Sequence, residues 1–357
     1  MDFTISEEQK MTADVLRQLL DAECTPAQLR QQMDKDVPFD ADRWAKLIEL
    51  GLTGILVAEE QGGLGLREAD LVLLAEEAGR AALPEPLIEL AGVAAPLLAG
   101  LADQRAVDLL GQVLAGEAVV AVGHRQNPFV ANADMADALL LDWAGEVHLV
   151  KAKDAKLVRQ ESIDPFRRLF AVEAKLTEAT RVASAEQGQA LWDAALERGA
   201  LFAAAQCLGL AQRNVNIAVD YANQRTQFGK LIGSYQAIKH HLATVQVKIE
   251  FARPVVQAAA AQFDAADLAT RTRVSHAKLA ATAAADLAGQ TAVQVHGAMG
   301  YSWEVDVHFF LKRALALTGA WGDRSFHLAR VAHRLFDSDL PLGADRTFAR
   351  ESHSHAA

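Results

Sequence analysis

The chain has 357 residues, 51% of them hydrophobic and 23% charged, with a formal net charge of −11; that is enough apolar material for a large core spread over two or three structural units. No basic stripe is dense enough to follow nucleic-acid phosphates, no apolar run reaches about 18 uncharged residues, so no membrane span is expected, and the polar, acidic opening MDFTISEEQK does not read as a signal peptide. Two widely spaced cysteines, Cys24 and Cys207, argue against a disulfide framework or a metal site and fit a reduced, cytoplasmic setting.

Residues 1–117 read as a helical domain. Ser6 or Thr4 followed by Glu7 and Glu8 is a helix-start signature. A helix through Trp44, Leu47 and Ile48 closes on Gly51. The glycines of Gln61–Leu66 force a loop, and a helix through Glu76–Arg80 stops before Pro84 and Pro86. The pattern changes over residues 118–183, which read as a small β domain. Glu117–Val122 is a short β-prone run, Ala138–Trp143 and Glu146–Val150 flank the turn pair Ala144-Gly145, and Leu169–Ala174 partly alternates. Residues 184–340 are helical again and rich in alanine. Ile238, Leu242, Val245 and Ile249 share one helix face, residues 251–293 supply at least one more long helix, and four such helices predict a bundle. Residues 341–357 read as a loose polar tail.

Two stretches stand out. In Tyr221–Gln236 (YANQRTQFGKLIGSYQ) a helix ends near Arg225 and a glycine-bearing turn leads into the next helix. Arg225 and Gln227 at such a turn could hold a phosphate, Arg225 through a two-pronged charged hydrogen bond; a plain helix connection with a solvated arginine explains the pattern equally well. In Gln294–Glu304 (QVHGAMGYSWE) a helix ends at glycines, and Gln294 could offer its amide to a polar ligand. A glycine-capped terminus beside a packed aromatic is the simpler reading of that stretch alone.

Together with MDFTISEEQ, WAKLIELGL, EEQGGLGL and EEAGRAALPEPL, the pair RTQFGKLIGSYQ and QVHGAMGY resembles the acyl-CoA dehydrogenases, flavin enzymes that desaturate acyl-CoA thioesters between Cα and Cβ. The resemblance spans nearly the whole chain. It implies a mostly α fold with a small central β domain: an N-terminal helical domain, a middle β domain and a C-terminal four-helix bundle. It further implies FAD between the β domain and the bundle, at a subunit interface of a dimer or tetramer. Arg225, Gln227 and Phe228 would meet the pyrophosphate and adenosine side, with Tyr235 and Gln236 on the next turn. Gln294, Gly297 and Ala298 would contact a neighbouring subunit's FAD. The implied partners are an acyl-CoA substrate and electron-transfer flavoprotein as acceptor. The implied reaction removes the α-proton by a carboxylate and moves a hydride from Cβ to the flavin. Such a base needs a dry pocket, where desolvation raises its pKa.

The sequence departs from the family at this base. The usual Glu of a Glu-Gly-Thr turn is replaced by Thr318, in a loop that reads as open, with an exposed Trp321. The alternative position on the first bundle helix falls on Gly199; Glu197, two residues away, is turned about 200° around a helix. The remaining candidate bases are Asp323, in the same loop as Thr318, and Glu304, which otherwise reads as a structural acid pairing with Lys312 or Arg313. His124–Pro128 stands where the family's flavin-covering stretch would be. Four readings follow: a dehydrogenase with an off-pattern base; the FAD-holding, base-lacking subunit of a heteromeric dehydrogenase, as among shortened family members of bacterial steroid side-chain degradation; a flavin oxidase or monooxygenase of the same fold; and a non-catalytic structural subunit.

Overall fold

A computed structural model describes residues 5–338, apart from Asp36 and Pro38, together with Gly343; the expected loose tail, residues 341–357, lies outside these except for Gly343. The N-terminal helices are α1 (Glu7–Glu23), α2 (Pro26–Lys35), α3 (Ala41–Glu49) and α4 (Glu68–Ala81). Ser6 caps α1 through a capping box with Gln9, and Gly51, at φ +69°, follows α3. Both were legible because caps satisfy orphan helix-end groups with local side chains. Beyond the prolines come α5 (Leu87–Glu89), a π-helical turn (Leu90–Ala94), α6 (Ala95–Ala99) and α7 (Gln104–Leu114).

Seven strands follow: β1 (Val120–Gly123), β2 (Val130–Ala131), β3 (Ala138–Trp143), β4 (Glu146–Lys151), β5 (Lys156–Gln160), β6 (Leu169–Glu173) and β7 (Arg181–Ala183). One sheet has the order β1-β3-β4-β7, with β1 and β3 parallel and the other pairs antiparallel; a second has the order β2-β6-β5. The Ala144-Gly145 turn joins β3 to β4 with both residues at positive φ, the geometry a two-residue hairpin needs.

The rest is helical: α8 (Ala185–Ala222), α9 (Gln236–Ala261), α10 (Leu268–His296), α11 (Val307–Gly319) and α12 (Arg324–Ala332). The bundle is formed by α8, α9, α10 and α11. Its fourth member is shorter than expected, 13 residues against 38 for α8. Val245 and Ile249 on α9 are fully buried, while Ile238 and Leu242 pack at the bundle's end. A feature not anticipated is a small hairpin, β8 (Thr226–Gln227) with β9 (Lys230–Leu231), between α8 and α9. One continuous core runs from Leu16 on α1 through β1 and β3 to Trp321, so the helical layers and the β domain share packing. Among the described residues no helix is long and apolar enough to cross a membrane.

Candidate active site and cofactor surface

A cleft, open to solvent on one side, lies where the three layers meet. One wall comes from the segment Leu83–Val93, a second from β1, Asn127 and Phe166-Arg167, and a third from Gln206 on α8 and from Arg313, Leu317, Ala320 and Trp321. Two arginines join these walls. Arg313 forms an ion pair with the buried Asp164 of the β domain and donates to the Leu83 carbonyl at 2.8 Å. Arg167 donates to the Ala316 carbonyl.

The stretch Leu317–Asp323 differs from the sequence expectation. Thr318 and Gly319 still belong to α11, and the Thr318 hydroxyl donates back to the Ala314 carbonyl at 3.0 Å. Trp321 is buried, not exposed, at 7% accessibility. Its φ of +57° is unusual for a bulky residue and costs about 1–2 kcal/mol. Surrounding side chains hold it there. Buried Lys278 of α10 donates to the Leu317 and Ala320 carbonyls at 2.5 and 2.9 Å. The Asn127 side-chain oxygen accepts the Trp321 N–H at 2.8 Å. His327 lies with Nε2 3.1 Å from the Trp321 carbonyl and Nδ1 3.0 Å from the Ser275 hydroxyl. Burial, then the charges of Lys278 and Arg330, push the His327 pKa down to about 4. Burial likewise pushes Lys278 down to about 8.

The indole of Trp321 lies directly on Gly199, and a Cβ at residue 199 would overlap the ring. The local reading of a glycine-rich loop missed this because the burial comes from α8 and from His124, whose ring lies 5.9 Å from Trp321 and 5.7 Å from Trp192. The segment His124–Asn127 is thus engaged with Trp321 and Trp192.

The candidate bases lie elsewhere. Asp323 is exposed and caps α12, its carboxylate accepting the Phe326 N–H at 2.8 Å; a carboxylate committed to a cap and facing water lacks the dry setting a base needs. Glu304 is also exposed and does not line the cleft. Its expected ion pair does not form: Lys312 sits over the Trp303 ring at 3.7 Å, and Arg313 is engaged by Asp164. Glu197 is buried against Arg330, with burial raising its pKa, and also lies off the cleft.

Two acids line the cleft, Glu85 and Glu89, and the one without a side-chain partner is Glu89, which the sequence reading passed over. Protein atoms surround it and burial raises its pKa, yet it keeps partial accessibility because it opens onto the cleft. Apart from its own backbone N–H, it has no hydrogen-bond or ion-pair partner among the described residues. The neighbouring acid Glu85 differs, being locked by buried Arg43 through bonds of 2.8 and 2.5 Å. The available signal was an acid in the apolar run Leu87–Leu98; the structure adds that it borders a π-helical turn, Leu90–Ala94, of the sort that recurs at functional sites.

The residues expected to meet FAD lie together at one end of the bundle. The ring of Tyr221, near the end of α8, stacks on His296 at the end of α10, with centroids 4.1 Å apart, and apolar residues of α8, α9 and α10 pack around them. Arg225, Gln227, Gln236, Gln294, Gly297 and Ala298 are exposed, and Tyr235 is half-buried. Phe228 projects from the hairpin at 92% accessibility and φ +53°. The Tyr235 hydroxyl donates to the Gln227 carbonyl at 3.1 Å and steadies the hairpin. The Arg225 guanidinium has no ion-pair partner among the described residues. At Gly229 and Gly297, both at positive φ, a Cβ would meet nothing within 4 Å, which leaves room for a ligand to approach the backbone.

Comparisons with known proteins agree with this architecture. The family model described as acyl-CoA dehydrogenase, N-terminal domain, matches residues 6–117, and the C-terminal domain model matches residues 186–336. The chain is 33% identical to acyl-CoA dehydrogenase IpdE2 of Mycobacterium tuberculosis, over 87% of this chain and 92% of that protein. It is 31% identical to acyl-CoA dehydrogenase FadE34 of the same organism, over 92% of this chain but only 48% of that longer protein. The fold matches the crystal structure of the ChsE4-ChsE5 complex from Mycobacterium tuberculosis with a TM-score of 0.82 and 24% identity, covering 95% of this chain and 100% of that one. With its three-layer cleft, its RTQFG and QVHGAMG turns and these relatives, the chain belongs to the acyl-CoA dehydrogenase family.

Proposed function

We propose that this chain is the FAD-holding, base-lacking subunit of a heteromeric acyl-CoA dehydrogenase. The carrying observation is Trp321: it covers Gly199, one family base position, while the other position, Thr318, closes α11 with a hydroxyl bonded to its own helix. A threonine hydroxyl does not remove an α-proton at neutral pH, and no carboxylate can project from residue 199 past the indole.

The chain fits one half of FAD. Unpaired Arg225, exposed Phe228 and Gln294, and the open glycines suit a pyrophosphate and an adenine. Around Asn127, where the flavin ring would be covered, His124 and Trp321 pack against each other and Asn127 holds the Trp321 backbone. When bound, FAD supplies the hydride acceptor. Arg225 would neutralise the pyrophosphate, and the hairpin and the α10 end would position it for a second, related chain that brings the carboxylate. Two relatives support a paired assembly: ChsE4-ChsE5 is a complex, and FadE34 is a protein about half of which this chain matches. The substrate of the assembly is an acyl-CoA, and its electrons pass to an electron-transfer flavoprotein.

The test is reconstitution. FAD fluorescence titration should show weak binding to this chain alone and tight binding to the co-expressed pair, and Arg225→Ala in the pair should weaken binding by about tenfold or more. Equal FAD affinity for the lone chain and the pair would refute the subunit reading.

A further inference from the structure

The cleft has lost its base positions but remains a cleft. Apolar side chains, among them Val93, Val120, Phe166 and Trp321, form much of its surface, and the Glu89 carboxyl opens into it. Enclosed polar groups in native proteins are almost always satisfied, and the charges that reach Glu89 belong to Arg313 and Arg167, whose guanidinia are engaged by Asp164 and the Ala316 carbonyl. A carboxyl whose only protein partner is its own backbone N–H, set beside apolar side chains, is the pattern of a pocket that discriminates by hydrogen bonding: a ligand lacking the matching group leaves the carboxyl without a further partner.

We propose that the cleft is a ligand site without turnover, which takes an apolar group carrying a hydroxyl and binds that hydroxyl at Glu89. The absence of turnover rests on the base-lacking reading; the binding does not. Glu89 stands on the wall from the N-terminal domain, whereas Thr318 and Gly199, the base positions, belong to the bundle; we assign it to specificity, and the pair's turnover in Glu89→Gln separates that role from proton removal. The apolar group comes either as an acyl thioester or as a free alcohol.

The experiment titrates the chain, alone and in its pair, with octanoyl-CoA, 8-hydroxyoctanoyl-CoA and 1-octanol. It follows tryptophan fluorescence, since Trp321 is part of the cleft wall, and isothermal calorimetry. Wild type should bind the hydroxylated thioester about tenfold or more tighter than octanoyl-CoA, with no dehydrogenated product from the lone chain. Glu89→Leu should erase that ratio, and Glu89→Gln, which keeps a hydrogen-bonding end, should hold it within about threefold. Binding of 1-octanol in place of the thioesters, abolished by Glu89→Leu, supports the site with a free alcohol as its source. Equal binding of the two thioesters without alcohol binding, or a ratio unchanged in Glu89→Leu, overturns the proposal; should that variant not fold, the wild-type ratio decides. Failure of all three probes to bind also overturns it while leaving the subunit reading standing. Product formed by the lone chain overturns the claim of no turnover and the subunit reading together. Loss of the pair's turnover in Glu89→Gln with unchanged binding makes Glu89 the base and overturns its assignment here.

Discussion

Trp321 shows how contacts remote in sequence can hold one residue in a conformation its own sequence does not predict. Its positive φ is maintained because Lys278, Asn127 and His327 bond the backbone on either side of it. Trp321→Gly would relieve about 1–2 kcal/mol of backbone strain but lose about 3–5 kcal/mol of packing. A net destabilisation of about 1–4 kcal/mol in urea unfolding is expected. His327 gives the site a pH signature. Its pKa is lowered in the fold, from 6.5 to about 4, so between those values the unfolded chain binds more protons and stability rises with pH. The contribution is complete above pH 6.5 and is lost as pH falls toward 4. It amounts to on the order of 3 kcal/mol at most. Unfolding of His327→Gln measured across this window should be flatter with pH than wild type; an unchanged slope would remove His327 as the cause.

At the scale of elements, most of the structure was legible where signals are local. The Ser6 cap, the Gly51 stop and the Ala144-Gly145 hairpin each depend on a few neighbouring residues. The β8–β9 hairpin was missed because two-residue strands carry too little alternation to register. The burial of Trp321 and Lys278 was missed for a different reason. In the alanine-rich α10, Lys278 looks like an ordinary exposed lysine, and only the end of α11 packed against it makes it a buried cap. Its bonds to Leu317 and Ala320 satisfy carbonyls at the C-terminus of α11, where a positive charge also suits the helix dipole. Lys278→Met should therefore destabilise the fold by about 1–3 kcal/mol at neutral pH, through unpaired carbonyls. Because the Lys278 pKa is lowered to about 8 from 10.5, wild-type Lys278 becomes more favourable as pH rises from 8 toward 10.5. The stability gap between wild type and variant should widen over that range in chemical denaturation. A constant gap would contradict a buried, titrating Lys278.

For the whole molecule, the three layers are tied across the cleft by few groups. Arg313 reaches from the bundle to Asp164 in the β domain and Leu83 in the N-terminal segment. Removing it leaves Asp164 buried and unpaired, so Arg313→Met should cost about 3–5 kcal/mol, read as a large drop in unfolding midpoint. The family and its three-part order were legible because they are written in motifs that span the chain. The cleft carboxylate without a side-chain partner was not, since which of 46 acidic residues takes that place depends on how the three layers close. The central claim is that this chain holds FAD for a partner's base and supplies none itself. Its most direct test is an anaerobic titration with acyl-CoA thioesters of the lone chain, held with FAD at a concentration that saturates its weak site, followed at about 450 nm. The flavin band should persist in the lone chain and bleach only when the base-bearing partner is added. Bleaching of the lone chain would show that it carries its own base and contradict the account.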